Sequence, residues 1–278
     1  MLIVELNDAK LINHSHIDAF LIGVKGFSSE CYHHFDLDEV LSLIQAIKTS
    51  QRKVFIDLTS MYHDEDVCAL TQLIDTLKEV DGFLYHDFLV HSLIPQEKRV
   101  YYAPTYMTNM NDFTLMCDEC AYVLASPEMG LESLKRASSA KTWFLAFGTW
   151  EIFHSRRPLI TNYFQYRGSN NCARSFYIKE EFRPNEAYPI IEERGTKIYL
   201  NDYYYLGKEL DMLTGHFLIK TFNLPIELSD QIIDLYYEAL NKKDASKLEE
   251  DLQKLAIHLH QGFLYQKAVL RKGDVSDD

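Results

Sequence analysis

Three consecutive stretches decide the fold: Asp18-Ala19-Phe20-Leu21-Ile22-Gly23-Val24, then Leu37-Asp38-Glu39-Val40-Leu41-Ser42-Leu43-Ile44-Gln45-Ala46-Ile47-Lys48, then Lys53-Val54-Phe55-Ile56-Asp57-Leu58. The first and third are short apolar runs rich in Val, Ile and Phe, the pattern of strands buried on both faces. The middle stretch places Leu37, Val40, Leu41, Leu43, Ile44 and Ile47 on one face of a helical period, which predicts an amphipathic helix. Two buried strands joined by such a helix pair in parallel, because a parallel pair needs a crossover of about a dozen residues or more.

The alternation continues outward. Further strands are predicted near residues 2–6, 82–86, 98–103, 121–125, 142–148 and 216–221, and a second helix from Asp66 to Val80 carries Val67, Leu70, Leu73, Ile74 and Leu77 on one face. About eight such units close into a barrel, so the fold class is α/β, a (β/α)8 TIM-like barrel. An open doubly wound sheet is the alternative. No Gly-x-Gly-x-x-Gly follows a predicted strand and no Gly-x-x-x-x-Gly-Lys occurs to support it.

One interval breaks the rhythm. Between the seventh and eighth strands the chain runs on far beyond the roughly 2–6 residues of ordinary α/β loops. The reading is a barrel over 1–224 with an arginine-rich, aromatic and hairpin insertion over 149–200, followed by a helical extension over 225–278 packed on the barrel. Within the insertion, Pro189 to Leu200 reads as a hairpin turning at Arg194-Gly195. In the extension Ile232, Ile233, Leu235, Tyr236 and Leu240 form an apolar stripe, Ser229 or Asp230 is the expected N-cap, and Lys242 to Lys254 is expected to be a solvated helix.

Composition sets outer limits on function. With 278 residues, 47% hydrophobic and 25% charged, the chain has the balance of a soluble globular protein. A net charge of −13 argues against generic nucleic-acid binding, which needs clustered Lys and Arg against phosphates. No apolar run approaches the roughly 18 residues of a membrane span. Five cysteines without a framework and without an export signal fit reduced thiols, so the expected location is the cytoplasm and no membrane partner is expected.

Against that acidic background stands Ser155-Arg156-Arg157-Pro158-Leu159-Ile160-Thr161-Asn162-Tyr163-Phe164-Gln165-Tyr166-Arg167-Gly168, continuing to Cys172 and Arg174. Residues 156 to 174 hold four arginines and no Asp or Glu. Guanidinium forks match carboxylates and phosphates, and the aromatic rings offer stacking faces, so Arg156, Arg157, Asn162, Tyr163, Arg167 and Arg174 are the candidate anion- or substrate-binding residues. The bland alternative is pairing with the acidic surface. Active groups in barrels gather at the C-terminal strand ends, which makes Glu128, Asp57 and His86 the catalytic candidates. Cys117-Asp118-Glu119-Cys120 lacks the second pair that structural zinc requires. His14-Ser15-His16 falls in the predicted first helix, which would turn its imidazoles to different faces, and His258 and His260 are expected on the surface of the tail helix. No Gly-x-Ser-x-Gly or His-Glu-x-x-His supports hydrolytic chemistry.

The arginine segment resembles the signature of peptidase family U32, the collagenase-like family, which runs roughly Tyr-Ser-x-Arg-Cys-Leu-x-Ser-Asn-Tyr before a Cys-x-x-x-Cys element and a fourth cysteine. Ser155, Arg157, Leu159, Asn162 and Tyr163 match it, and Gln261-Gly262-Phe263 is similar to the family's Arg-Gly-Phe element. The departures fall on the cluster cysteines. Pro158, Phe176 and Tyr204 stand at three of the four positions and Cys172 remains as a remnant. Since an iron–sulfur cluster is held by thiolates, the resemblance implies that this chain binds no metal or cofactor and that the cluster belongs to a partner. It further implies a component of tRNA wobble uridine 5-hydroxylation, with prephenate as co-substrate, paired in a hetero-oligomer with a cysteine-bearing U32 paralogue and in contact with tRNA. A collagenase-like peptidase or hydrolase, or a non-catalytic barrel scaffold, is the alternative.

Overall fold

The computed structural model describes residues 1–102, 109–169, 173–182, 184, 186–193 and 195–266. Its strands are β1 (Leu2–Glu5), β2 (Ala19–Val24), β3 (His34–Phe35), β4 (Lys53–Asp57), β5 (Gly82–Tyr85), β6 (Arg99–Tyr102), β7 (Tyr122–Leu124), β8 (Thr142–Ser155), β9 (Ser175–Ile178), β10 (Tyr188–Glu192), β11 (Thr196–Tyr205), β12 (His216–Ile219) and β13 (Leu259–His260). Its α-helices are α1 (Leu37–Thr49), α2 (Val67–Thr76), α3 (Phe88–Leu93), α4 (Met110–Glu119), α5 (Leu131–Ala137), α6 (Leu159–Tyr166), α7 (Ile226–Lys242) and α8 (Leu248–Gln253).

Strands β1, β2, β4, β5, β6, β7, β8 and β12 form a closed parallel ring, and each corresponds to one of the predicted runs. Closure is made by β12, which pairs with β1 at Leu2↔Phe217 and with β8 at His216↔Trp143. The ring therefore has no edge, and the open-sheet alternative falls. Both faces of its strands are buried, as their uninterrupted apolar runs require.

Strand β8 runs on past its predicted end at residue 148. Beyond the ring it pairs antiparallel with β11, which in turn carries β10 and β9 as a flap above the C-terminal end of the barrel. The hairpin β10–β11 is the one expected. Gly195 sits at φ 144° with its α-carbon against the Ser155 carbonyl, where a Cβ would come within 2.6 Å; Arg194 lies outside the described residues.

The helices differ from expectation in detail. In α1 only Val40, Ile44 and Ile47 are buried, while Leu37 and Leu41 are exposed, so the apolar stripe is narrower than the sequence pattern. Helix α2 ends at Thr76, although Leu77 and Val80 stay buried in the turn that leads into β5. Helix α7 begins at Ile226 after Pro225, ahead of Ser229 and Asp230, because proline's fixed φ suits a helix start. The segment Lys242 to Lys254 is not one helix: Lys243 turns left-handed at φ 52°, and the turn that follows buries Ala245 before α8 begins. The tail then adds β13 beside β11 instead of remaining helical. Among the described residues no helix is long and apolar enough to cross a membrane.

Candidate functional site at the barrel mouth

The parallel ring sends the C-terminal end of every strand to one face. Glu5 ends β1, Asp57 ends β4, His86 follows β5, Tyr102 ends β6 and Lys220 follows β12. Leucines from five of the ring strands, Leu21, Leu84, Leu124, Leu145 and Leu218, floor a small enclosed cavity whose walls include Glu30, Glu128, Glu151 and Lys220.

A buried charge network spans this mouth. The Lys197 Nζ donates to the Ser29 carbonyl at 2.8 Å, lies 3.3 Å from Glu30 Oε1 and pairs with Glu151; Lys220 Nζ lies 3.2 Å from Glu30 Oε2. Both lysines are less than a tenth exposed. Lys220 reaches its place because Gly148, at φ 154°, leaves room: a Cβ there would meet the Lys220 Cβ at 2.8 Å. Burial works against ionising Glu30, but Lys197 and Lys220 overcome it and hold the carboxyl well below the usual range. For Glu151 burial prevails and raises the pKa despite Lys197. Glu5 is likewise raised by burial, against the pull of Lys220. The arrangement thus holds two fixed cations beside carboxyls that keep their protons more readily than usual, a setting able to bind an anion and to exchange a proton.

The catalytic candidates take separate places around it. Asp57 accepts from the amides of Glu30 at 2.9 Å, Cys31 at 2.7 Å and Thr59 at 2.9 Å, so its oxygens clamp the loop after β2. His86 is half-buried, and burial and Lys197 lower its pKa against the opposing pull of Glu30, leaving a neutral imidazole beside the network. Glu128 lines the enclosed cavity with its pKa raised by burial.

Outside the cavity, between the barrel loops and the flap, lies an open groove of about 890 Å³. Tyr32, His33, Met61 and His63 line it from the barrel, and Arg156, Pro158, Arg174, Glu192 and Glu193 from the insertion. Arg156 Nη2 donates to the Tyr62 carbonyl at 3.1 Å. Arg174 pairs with the buried Glu192 and donates to Thr161 Oγ1 at 2.7 Å. Burial would raise the pKa of Glu192, but Thr161 and Arg174 bring it below the ordinary value. The arginine cluster therefore divides: Arg156 and Arg174 meet in the groove, partly committed to the protein, while Arg157 and Arg167 are exposed with no side-chain partner among the described residues. Asn162 is exposed on α6, and Tyr163 lies in a neighbouring apolar cleft with Phe164, Phe176 and Ile190.

The network itself went unread in the sequence. Lys220 closes the apolar run Phe217-Leu218-Ile219 just as Asp57 closes Val54-Phe55-Ile56, and that shared pattern of a charge ending a buried strand was the available signal. Two histidine expectations are corrected. His14, in extended backbone just past a short 3-10 turn, and His16, in the turn that follows, both face Asp234, at 3.4 and 2.7 Å. His260 sits in β13, half-buried and stacked on Trp150.

The cluster positions do not suit an iron–sulfur centre. Pro158 caps α6, Phe176 packs on Phe164 in β9, and Tyr204 is buried in β11 beneath Trp150. None offers a thiolate, and Cys172 lies outside the described residues. Cys117 and Cys120 have their thiols pushed up by burial.

A closed (β/α)8 barrel whose mouth is roofed by a strand flap and crossed by a buried Lys–Glu network defines the class of protein. The model of peptidase family U32 matches residues 5–272, and the chain belongs to that family. The tRNA hydroxylation protein P2 of Bacillus subtilis (strain 168) is 24% identical over 197 residues, covering 65% of this chain and 63% of that protein. The solved structure of the U32 peptidase Mk0906 is similar in fold, with a TM-score of 0.50 at 13% identity over 81% of this chain and 94% of that one.

Proposed function

We propose that this chain is a tRNA-modification component, acting in wobble uridine 5-hydroxylation in the cytoplasm together with a cluster-bearing U32 paralogue. The observation that carries the reading is the acid-free arginine segment at the rim of the barrel mouth, where Arg157 and Arg167 stand unpaired among the described residues and Tyr163, Tyr166 and Tyr177 expose their rings. Exposed arginines beside stacking faces suit single-stranded RNA. The similarity to the tRNA hydroxylation protein supports the same substrate class. The peptidase alternative draws little support, since the Cys31 thiol is buried with its pKa pushed up, far from a nucleophile's state. Two free arginines contribute a log–log salt slope of about −1.4, at roughly 0.7 per contact on single strands. Binding by the isolated chain is therefore weak, and the complex with the paralogue binds more tightly. The test is fluorescence anisotropy of a tRNA anticodon stem-loop titrated with that complex across a salt series. Arg157→Ala/Arg167→Ala should flatten the slope by about 1.4 units with the circular dichroism unchanged; an unchanged slope and affinity would sink the RNA reading.

A further inference from the structure

On the face of the barrel opposite the mouth, residues far apart in the chain bring three ligand-type atoms together. His14 and His16 lie on the connection that enters β2, and Asp234 lies on α7, more than two hundred residues later. His14 Nε2 is 3.4 Å and His16 Nδ1 2.7 Å from the same Asp234 Oδ1, and the three ligating atoms all fall within 4.8 Å of one another. We propose that His14, His16 and Asp234 form a divalent-metal site, filled by Zn²⁺, that clasps the C-terminal extension to the barrel.

The donor set and the geometry both support this. Two imidazoles and a carboxylate are the ligands of three-residue zinc sites, in which water completes a tetrahedron. Bonds of about 2.0–2.1 Å put tetrahedral ligands roughly 3.3 Å apart. The His14–Asp234 pair already has that separation, and the His16–Asp234 pair reaches it by opening a little over half an ångström. The His16 ring is held in place by stacking on Tyr237, the rings parallel to within 1° and their centroids 3.9 Å apart. The His14 side chain is only 12% exposed, whereas that of Asp234 is half exposed and leaves the fourth position open to water. Without metal, the His14 Nδ1 accepts the His16 amide at 3.3 Å. Binding at Nε2 moves the ring proton to Nδ1 and releases that long contact, so the tautomer of His14 reports occupancy.

The test uses the full chain, freed of metal by chelation and titrated with ZnCl₂ by calorimetry, with CoCl₂ as the optical probe. One equivalent of Zn²⁺ should bind per chain, Co²⁺ should give the intense visible bands of tetrahedral coordination, and Zn²⁺ should raise the melting temperature by about 3 °C or more. His14→Ala, His16→Ala and Asp234→Asn should each weaken binding about tenfold or more, and His258→Ala should leave it unchanged. Asp234→Asn, which keeps the side-chain shape, guards against a variant that fails to fold, because its own melting curve then lacks the Zn²⁺ response. Absence of a Zn²⁺-dependent shift in the wild type overturns the proposal. So does stoichiometric binding that survives the triple substitution, or a thiolate charge-transfer band with Co²⁺, which would assign the metal to cysteine.

Discussion

At the scale of single residues the mouth is governed by the cost of burying charge. Glu30 is worth its burial only because Lys197 and Lys220 flank it, and those two lysines keep their protons because Glu30 outweighs their own burial. At His154 the opposing pull of Glu30 is outweighed. Burial and the nearby Lys197 lower its pKa to about 4 from the usual 6.5. A depressed pKa means that the unfolded chain takes up the proton first, so stability is whole above pH 6.5 and is lost as the pH falls toward 4. His216, also lowered to about 4 by burial and the N-terminal amine, acts in the same window. His34 opposes them: burial would lower its pKa, but Glu193 raises it overall, so its contribution is present at low pH and fades above its folded value. Urea midpoints measured at pH 7 and pH 5 should fall for the wild type. His154→Gln should recover about 1–2 kcal/mol of that loss; an identical loss in the variant would mean that His154 does not titrate in the fold.

At the scale of elements, a buried carboxylate helps to fasten the flap to its helix. Glu192, in β10, accepts from the Thr161 amide at 3.0 Å, from the Thr161 hydroxyl and from Arg174. These bonds join α6 to the hairpin and hold Arg174 at the groove. Glu192→Gln keeps the shape but removes the charge that strengthens all three, at a cost of about 1–3 kcal/mol. Hydrogen exchange should therefore speed up in Leu159–Tyr166 and β10 while the ring strands keep their protection, because the ring packs around its own core. Uniform acceleration through β1, β2 and β4 would mean instead that the flap and barrel unfold as one.

At the scale of the whole molecule, helix α7 joins the barrel's core. Ile232, Ile233 and Tyr236 are fully buried, and the Tyr236 hydroxyl donates to the Ala146 carbonyl at 2.8 Å and the Leu206 carbonyl at 3.0 Å. It thereby ties α7 to β8 and to the end of β11, the two strands that leave the ring for the flap. Tyr236→Phe strips those carbonyls of a buried donor and should lower stability by about 1–3 kcal/mol, a drop of roughly 2–6 °C in melting temperature for a chain of this size. A melting temperature within error of the wild type would show that the hydroxyl is dispensable.

What the amino-acid sequence determined by itself was local. Eight apolar runs announced the eight ring strands, Arg194-Gly195 marked the hairpin, and the acid-free arginine segment stood out against a net charge of −13, because periodicity, turn chemistry and charge are properties of neighbours in the chain. The narrower stripe of α1 and the broken tail helix were misread because burial is set by what packs on a helix, and a pattern of leucines cannot say which of them find a partner. Only the tertiary structure decided that Lys197 and Lys220 converge on Glu30, and that His14 and His16 converge on Asp234. Those contacts join residues from about 170 to 220 positions apart. The strength of the Lys–Glu contacts comes from the low dielectric of the folded interior, an environment that exists only once the ring has closed.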